Sequence, residues 1–316
     1  MIADVGAYLV FFFVVALYYA LLCLGLNLQW GVTGLFNVGV AGFVAVGAYG
    51  SALLTGPDSP EHWGGLGLPV PVGWAGAAVL AGLAAWLVGA ITLRLRHDYL
   101  AIATFGIAVT IQLVALNFAR LTNGPFGIVQ IPRPLSGWAG TPVGRNALYL
   151  GLVVLVVTGT YVGLERLVRS PWGRVLRGLR EDEAAAAALG KSPARYRLEA
   201  FVLGGMVMGL GGAIYTHFVG FVAPEDFLPI LTFQVWTMLV VGGAGSNRGA
   251  LLGGVLVWGL WSASGALVAA LLPQAMQARG AALQVVLIGV VLAVVLLLRP
   301  RGLLGEEAVV SRHVRT

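Results

Sequence analysis

Runs of about twenty residues with almost no charged side chain recur along this chain, at roughly 7–28, 36–55, 70–93, 99–119, 147–168, 198–219, 231–246, 249–272 and 281–298. Twenty residues of helix span about 30 Å, the thickness of a bilayer's hydrocarbon core. The runs therefore read as membrane-crossing helices. Composition agrees: 59% of residues are hydrophobic and 10% charged, against about 25% charged in a soluble domain. The 46 glycines and 14 prolines fit helices that pack closely in lipid. No linker or soluble domain interrupts the pattern. The expected fold is all-α: a polytopic membrane protein with one transmembrane domain of eight to ten helices over residues 1–316.

Charge and cysteine narrow the classes. The net charge of +6 does not indicate nucleic acid, because the basic residues concentrate in membrane-flanking loops. Cys23 is the single cysteine and lies in an apolar run, so neither a disulfide nor a cysteine metal site is implied. The N-terminus lacks a basic leader, and Tyr8 to Leu28 exceeds a signal-peptide core, so this segment reads as an uncleaved span.

The one long polar interruption runs from Ser170 to Glu199. Between Glu165 and Glu199 lie Arg166, Arg169, Arg174, Arg177, Arg180, Lys191, Arg195 and Arg197 against five acids. Basic loops are retained on the cytoplasmic side. Ser170-Pro171 reads as a helix start, and Trp172, Val175, Leu176 and Leu179 form one apolar face. Glu181, Asp182 and Glu183 suit the first turn of a second helix through Ala184–Ala188 and Leu189. Gly190 is placed to close it, and Ser192-Pro193 opens the next span. This small-residue helix suits a groove on a partner; a solvated helical hairpin is the plainer alternative. Arg94, Arg96, His97, Arg248, Arg299, Arg301, Arg312 and Arg315 fall on the same side. Asp58, Glu61, His62, Glu225 and Asp226 suit the other. Loop 120–146 must also lie there for the spans to alternate, although it carries Arg120, Arg133 and Arg145. Nine full spans leave the N-terminus outside; a broken or re-entrant segment plus a helix in the glycine-rich stretch 31–50 would flip that parity.

No catalytic constellation is visible. The four histidines, His62, His97, His217 and His313, are scattered, and no phosphate-binding glycine loop occurs, so this chain does not energise transport by that route. Polar residues within spans are candidates for a pathway: Asn27, Asn37, Thr104, Gln112 and Gln234. Hydrogen bonding between helices is the alternative for each. His217 reads as packed or interfacial, and Glu199 as paired with Arg195 and Arg197. Gly205 and Gly209, and Gly245, Gly249 and Gly253, form small-residue stripes, read as packing within the subunit or as a dimer face. Gly302, beyond the last span, reads as unconstrained.

Several stretches resemble one family. Arg180 to Ala185, then Leu189-Gly190 and Ala200-Phe201, are similar to the coupling loop of ABC-importer permeases, more narrowly those for branched-chain amino acids. Gly25 to Gly39, Gly47-Ala48-Tyr49, Tyr99 to Thr104, Leu121 to Ile128 and Gly242 to Ser246 with Gly249 also resemble this family, in the right order over most of residues 20 to 302. They point to the second type of membrane subunit in the branched-chain pair.

The resemblance implies a bacterial inner-membrane, multi-pass permease working by ATP-driven alternating access, not an enzyme. It implies a cytoplasmic coupling loop at about 169–198 and a cytoplasmic tail at 299–316. ATPase coupling would fall to Arg180, Glu181, Asp182, Glu183, Ala184, Ala185, Ala186, Leu189 and Gly190. Implied partners are a second, similar permease, two ATPases, an extracytoplasmic binding protein and membrane lipid, with no nucleic acid. ATP and Mg would sit on the ATPases, with no cofactor on this chain. The implied substrate is a branched-chain or other apolar amino acid. A urea or short-amide importer shares the pattern. A stand-alone channel or secondary transporter would more typically show ionisable residues at mid-span. Asn37-Val38-Gly39-Val40 replaces the Ser-Leu-Gly-His of many members, and Ala250 replaces a frequent Pro; both bear on the substrate.

Overall fold

A computed structural model describes residues 2–60, 62–95, 97–135, 141–271, 273 and 276–306. Glu61, Arg96, Arg312 and Arg315, which entered the assignment of sides, lie outside the described residues, as does His313. In chain order the helices are α1 Ile2–Leu26, α2 Val40–Thr55, α3 Val70–Thr92, α4 His97–Asn117, α5 Ala119–Thr122, α6 Pro142–Arg169, α7 Pro171–Glu181, α8 Glu183–Ala188, α9 Pro193–Val219, α10 Pro229–Gly242, α11 Asn247–Leu271 and α12 Gln277–Leu298. Among the described residues there is no strand, only one isolated bridge between Ile128 and Val222. The chain is an all-α polytopic membrane protein.

Six helices, α1, α3, α4, α6, α9 and α11, are long and apolar enough to cross a membrane. α2 and α10 have 16 and 14 residues. At 1.5 Å per residue these reach about 24 and 21 Å, short of a ~30 Å core. Each lost length at a glycine-rich break. Residues 33–39 separate α2 from one π-helical turn, Asn27–Val32, that extends α1. Residues 243–246 separate α10 from α11.

Inter-helix contacts fix the directions. α1 runs antiparallel to α11: Asn27 lies beside Asn247, and Tyr8 Oη is 2.8 Å from Ser262 Oγ. The start of α1 therefore lies at the end opposite α7. The stretch 31–50 is indeed a break followed by a helix, but the break at 33–39 adds no crossing, so the flip of parity expected from it does not follow. The loop after α4 also lies opposite α7, where the Ile128 amide donates to Val222 O (2.9 Å). One of its basic residues, Arg133, finds local partners: it lies 5.3 Å from the Phe218 ring centroid and donates to Asn146 Oδ1 (3.3 Å).

α9 is the central post. Phe201, Met208 and Ile214 are fully buried along it, and its glycines admit neighbouring backbones. A Cβ at Gly204 would stand 2.7 Å from the Gly25 carbonyl of α1. One at Gly205 would stand 2.6 Å from Ala85 Cβ of α3, and Gly209 faces Ala81 of α3 and Gly47 of α2. The Gly205/Gly209 stripe thus packs inside the chain. The second stripe needs correction. Gly245 precedes α11, with φ +85°, so only Gly249 and Gly253 are helical. They face Gly242, where the Gly249 Cβ position lies 2.7 Å from the carbonyl oxygen.

Gly302 is likewise not unconstrained. It is buried at φ +74°, and a Cβ would stand 2.6 Å from the Gly243 amide nitrogen. The chain turns back here, and the amides of Leu303 and Leu304 donate to Val241 O (2.9 Å) and Gly242 O (2.8 Å). Gly249→Leu and Gly302→Leu are therefore both expected to lose about 3 kcal/mol or more through overpacking. Gly163, with nothing within 4 Å of a Cβ, should accept Leu. Membrane abundance and detergent melting of the three variants check this. Gly302→Leu behaving like Gly163→Leu would contradict it.

Candidate functional site

The broken helices create the chemistry of the interior. Where a helix stops inside the bundle, its end groups need acceptors and donors other than water. Asn27 and Gln29, on the π-helical turn, are fully buried. Asn27 Oδ1 accepts from the Gly245 amide (2.8 Å), and its Nδ2 donates to Asn247 Oδ1 (2.9 Å). Asn247 Nδ2 donates in turn to Glu165 Oε2 on α6 (2.9 Å). One asparagine thus joins the break after α1 to the break before α11.

Gln29 and Asn37 build the other half. Gln29 Nε2 donates to Phe201 O on α9 (2.7 Å) and its Oε1 accepts from Asn37 Nδ2 (2.6 Å). Asn37 Oδ1 accepts from the Gly39 amide (2.7 Å), and Trp236 Nε1 donates to Asn37 O (2.9 Å). Thr104 Oγ1 on α4 accepts from the Val38 amide (3.0 Å), and Thr232 Oγ1 on α10 from the Ala41 amide (3.0 Å). Asn27, Asn37 and Thr104, singled out for a pathway, are therefore joined in one polar seam that holds the breaks. Gln112 is half-buried on α4, away from the hydrogen bonds of this seam. Gln234 accepts from Tyr19 Oη (3.1 Å) at the edge of a recess of about 190 Å³ lined by Phe233, Thr237, Trp258 and Trp261. His217 is packed: its Nδ1–H donates to Pro132 O (2.6 Å), and its Nε2 shares a hydrogen bond with Ser51 Oγ (2.8 Å).

A second region lies where α6 ends. α7 buries Gly173, Leu176 and Leu179 against the bundle, while Trp172 and Val175 are half-buried. Ser170 takes the N-cap position, but its hydroxyl donates to Leu167 O (2.7 Å) instead of capping. Trp172 Nε1 donates to Glu199 (2.8 Å), which also pairs with Arg195 (2.8 Å). Arg180 turns inward: it donates to Gly31 O in the break after α1 and binds Glu306 Oε2 (2.6 Å). Arg177 lies 3.7 Å from the same carboxylate. Residues up to Glu306 therefore share this end with α7.

α8 turns outward. Asp182 caps it, accepting from the Ala185 amide (2.9 Å). Gly190, at φ +76°, closes it with amide bonds from Gly190 to Ala187 O and from Lys191 to Ala186 O. This is the Schellman closure, which a residue with a Cβ adopts only with strain. Glu183 pairs with Arg197 at the base of α9 (2.9 Å). Ala184, Ala185, Ala187 and Ala188 are exposed, Ala186 is partly so, and Leu189 is 80% exposed. Of the residues assigned to coupling, Glu181 to Leu189 gather on this projecting turn, whereas Arg180 belongs to the interior. Sequence reasoning missed Asn247, Glu165 and Glu306. Glu306 was legible only as an acid following the last apolar run; its partner 126 residues away was not.

Asn27→Leu should orphan the Gly245 amide and the Asn247 side chain, at about 2 kcal/mol or more. Gln112→Leu should stay within about 0.5 kcal/mol. Comparative melting in detergent checks the pair; equal midpoints would remove the structural role given to Asn27.

The family model described as "Branched-chain amino acid transport system / permease component" matches residues 8–296. The chain is 37% identical over 265 residues to the high-affinity branched-chain amino acid transport system permease protein LivM of Escherichia coli (strain K12), covering 76% of this chain and 59% of that protein. It spans less than two thirds of that relative's length. It is 27% identical over 261 residues to the probable branched-chain amino acid transport permease protein LivM of Methanocaldococcus jannaschii, covering 74% and 75%. Over 253 residues it is 25% identical to the permease protein LivH of Salmonella typhimurium, covering 76% and 79%. No solved structure matches the chain.

Proposed function

The chain belongs to the family of branched-chain amino acid transport permease components, and on that premise we propose that it is one membrane subunit of a binding-protein-dependent ABC importer. Its cargo would be a branched-chain or other apolar amino acid. The partners would be a second, similar permease, two ATPases that bind ATP and Mg, and an extracytoplasmic binding protein. Names of relatives as branched-chain amino acid permeases support the cargo; a urea or short-amide importer remains the alternative, decided by what the partner binding protein captures.

The observation that carries the reading is α8. A six-residue helix of Glu183 and five alanines, capped at both ends, projects from the bundle with Leu189 exposed beside it. Capping makes so short a helix rigid enough to be a docking knob, and small side chains let a partner groove reach its backbone. Its base is tied to the spans: Glu183 to α9 through Arg197, and α7 to the break after α1 through Arg180. Movement of a docked ATPase would thus be delivered to both the post and the breaks. In this reading the α7 end, with its basic residues, is cytoplasmic, the membrane is a bacterial inner membrane, and the tail from Arg299 is cytoplasmic. Gln234 is the pathway candidate best placed to meet cargo, since it borders a recess.

Ala185→Glu or Ala186→Arg is expected to leave the protein inserted but to lose ATPase subunits on purification. A charge desolvated without a partner costs several kcal/mol, whereas on a solvated turn the change would be within about 0.5 kcal/mol. Co-recovery of the ATPases and substrate-stimulated hydrolysis are the readouts. Wild-type values for both variants would sink the coupling role.

A further inference from the structure

The segment after α12 folds back onto the end of α10. The Gly302 amide donates to Arg299 O (2.8 Å), and the amides of Leu303 and Leu304 then cover Val241 O and Gly242 O. These are carbonyls that a helix end leaves without partners. Gly305 packs on the same turn: a Cβ at Gly243 would stand 2.6 Å from its amide nitrogen. None of these contacts uses the Glu306 side chain. That side chain reaches α7 instead. Its Oε2 lies 2.6 Å from Arg180 Nη2, and its Oε1 lies 3.7 Å from Arg177. The Oε2 also lies 2.9 Å from where a Gly245 Cβ would stand, so the pair sits on the turn between α10 and α11. Arg180 and Glu306 are 26% and 28% exposed, so solvent screens them less than a surface pair.

Arg180 stands between two acids. Glu306 holds it from within the bundle, while Glu181, at the α7–α8 junction and 75% exposed, lies 3.9 Å away. The Arg180 stem packs on the break after α1: its Cγ is 3.0 Å from the Gly34 Cβ position. A displacement of α7 must therefore carry Glu306 with it or separate the pair. If Glu306 is carried, the hairpin follows, and with it the end of α10. That helix bears Gln234, and its Trp236 Nε1 donates to Asn37 O in the first break. Movement passes between distant elements through such contiguous bonded contacts. We propose that residues 299–306 are a strap that transmits movement of α7 to α10, with Glu306 as its positioning residue. The proposal rests on the importer reading and adds a second route to it. The Glu183–Arg197 pair serves α9; the strap serves the helix whose Gln234 borders the recess.

The test uses the full complex with its ATPases in nanodiscs, read by hydrogen–deuterium exchange without nucleotide and after trapping with ATP and vanadate. In the wild type, trapping should change exchange at the first turns of α9, at residues 239–246 and at residues 299–306. Glu306→Gln should exchange like the wild type without nucleotide. On trapping it should keep the α9 response and lose about fivefold of the response at 239–246, the low end of a coupling between sites. Arg174→Gln, an exposed charge on α7, should respond as the wild type at all three places. A full response at 239–246 in Glu306→Gln overturns the proposal, and so does an equal loss in Arg174→Gln. Faster exchange at 299–306 in Glu306→Gln without nucleotide overturns it too, because Glu306 would then be a static clamp. A wild-type complex that responds at α9 and not at 239–246 overturns the strap alone. One that recovers no ATPase, or responds nowhere, overturns the importer reading and the strap with it.

Discussion

Every backbone amide and carbonyl inside this bundle must find a partner that is not water, and the fold is arranged around the two places where helices fail to supply one. A helix that stops within lipid leaves groups that cost several kcal/mol each if unpaired. Here the two stops are brought together, and side-chain amides do the satisfying. Asn27 spans from one break to the other, while Gln29 and Asn37 tie the first to α9. An amide side chain suits this because it donates and accepts at once and carries no charge to bury.

Close backbone approach is the second condition. α9 touches α1, α2 and α3 through Gly204, Gly205 and Gly209. In lipid the hydrophobic effect does not draw helices together, so contact area must do so. Glycine supplies area by removing the side chain that would hold backbones apart. The seam and the post are then complementary: one satisfies polar groups, the other brings helices near enough for short amides to reach.

The membrane class, the successive helices and the α7–α8 loop with its Gly190 stop were legible because each depends on local composition and period. The ends of α2 and α10 were not, since both runs continue in apolar residues; what ends those helices is the glycine-rich break and its distant partners. Asn27, Asn37 and Thr104 announced themselves as costly polar residues in spans, but sequence offers no means of choosing between lining a path and holding a break. Gln234 differs from them only through its recess. Gly302 was misread for the same reason: it follows a helix like any linker glycine, and the backbone of Gly243 that crowds it lies far away in the chain.

The hairpin at Gly302 also sets an order of events in biosynthesis. Gly242 and Val241 are made long before the amides of Leu303 and Leu304 that cover their carbonyls, and Arg180 precedes Glu306 by 126 residues. While the chain is still on the ribosome, the turn between α10 and α11 stands open and α7 lacks its carboxylate partner. This end of the molecule therefore cannot close until the segment from Gly302 to Glu306 has been translated and has left the exit tunnel.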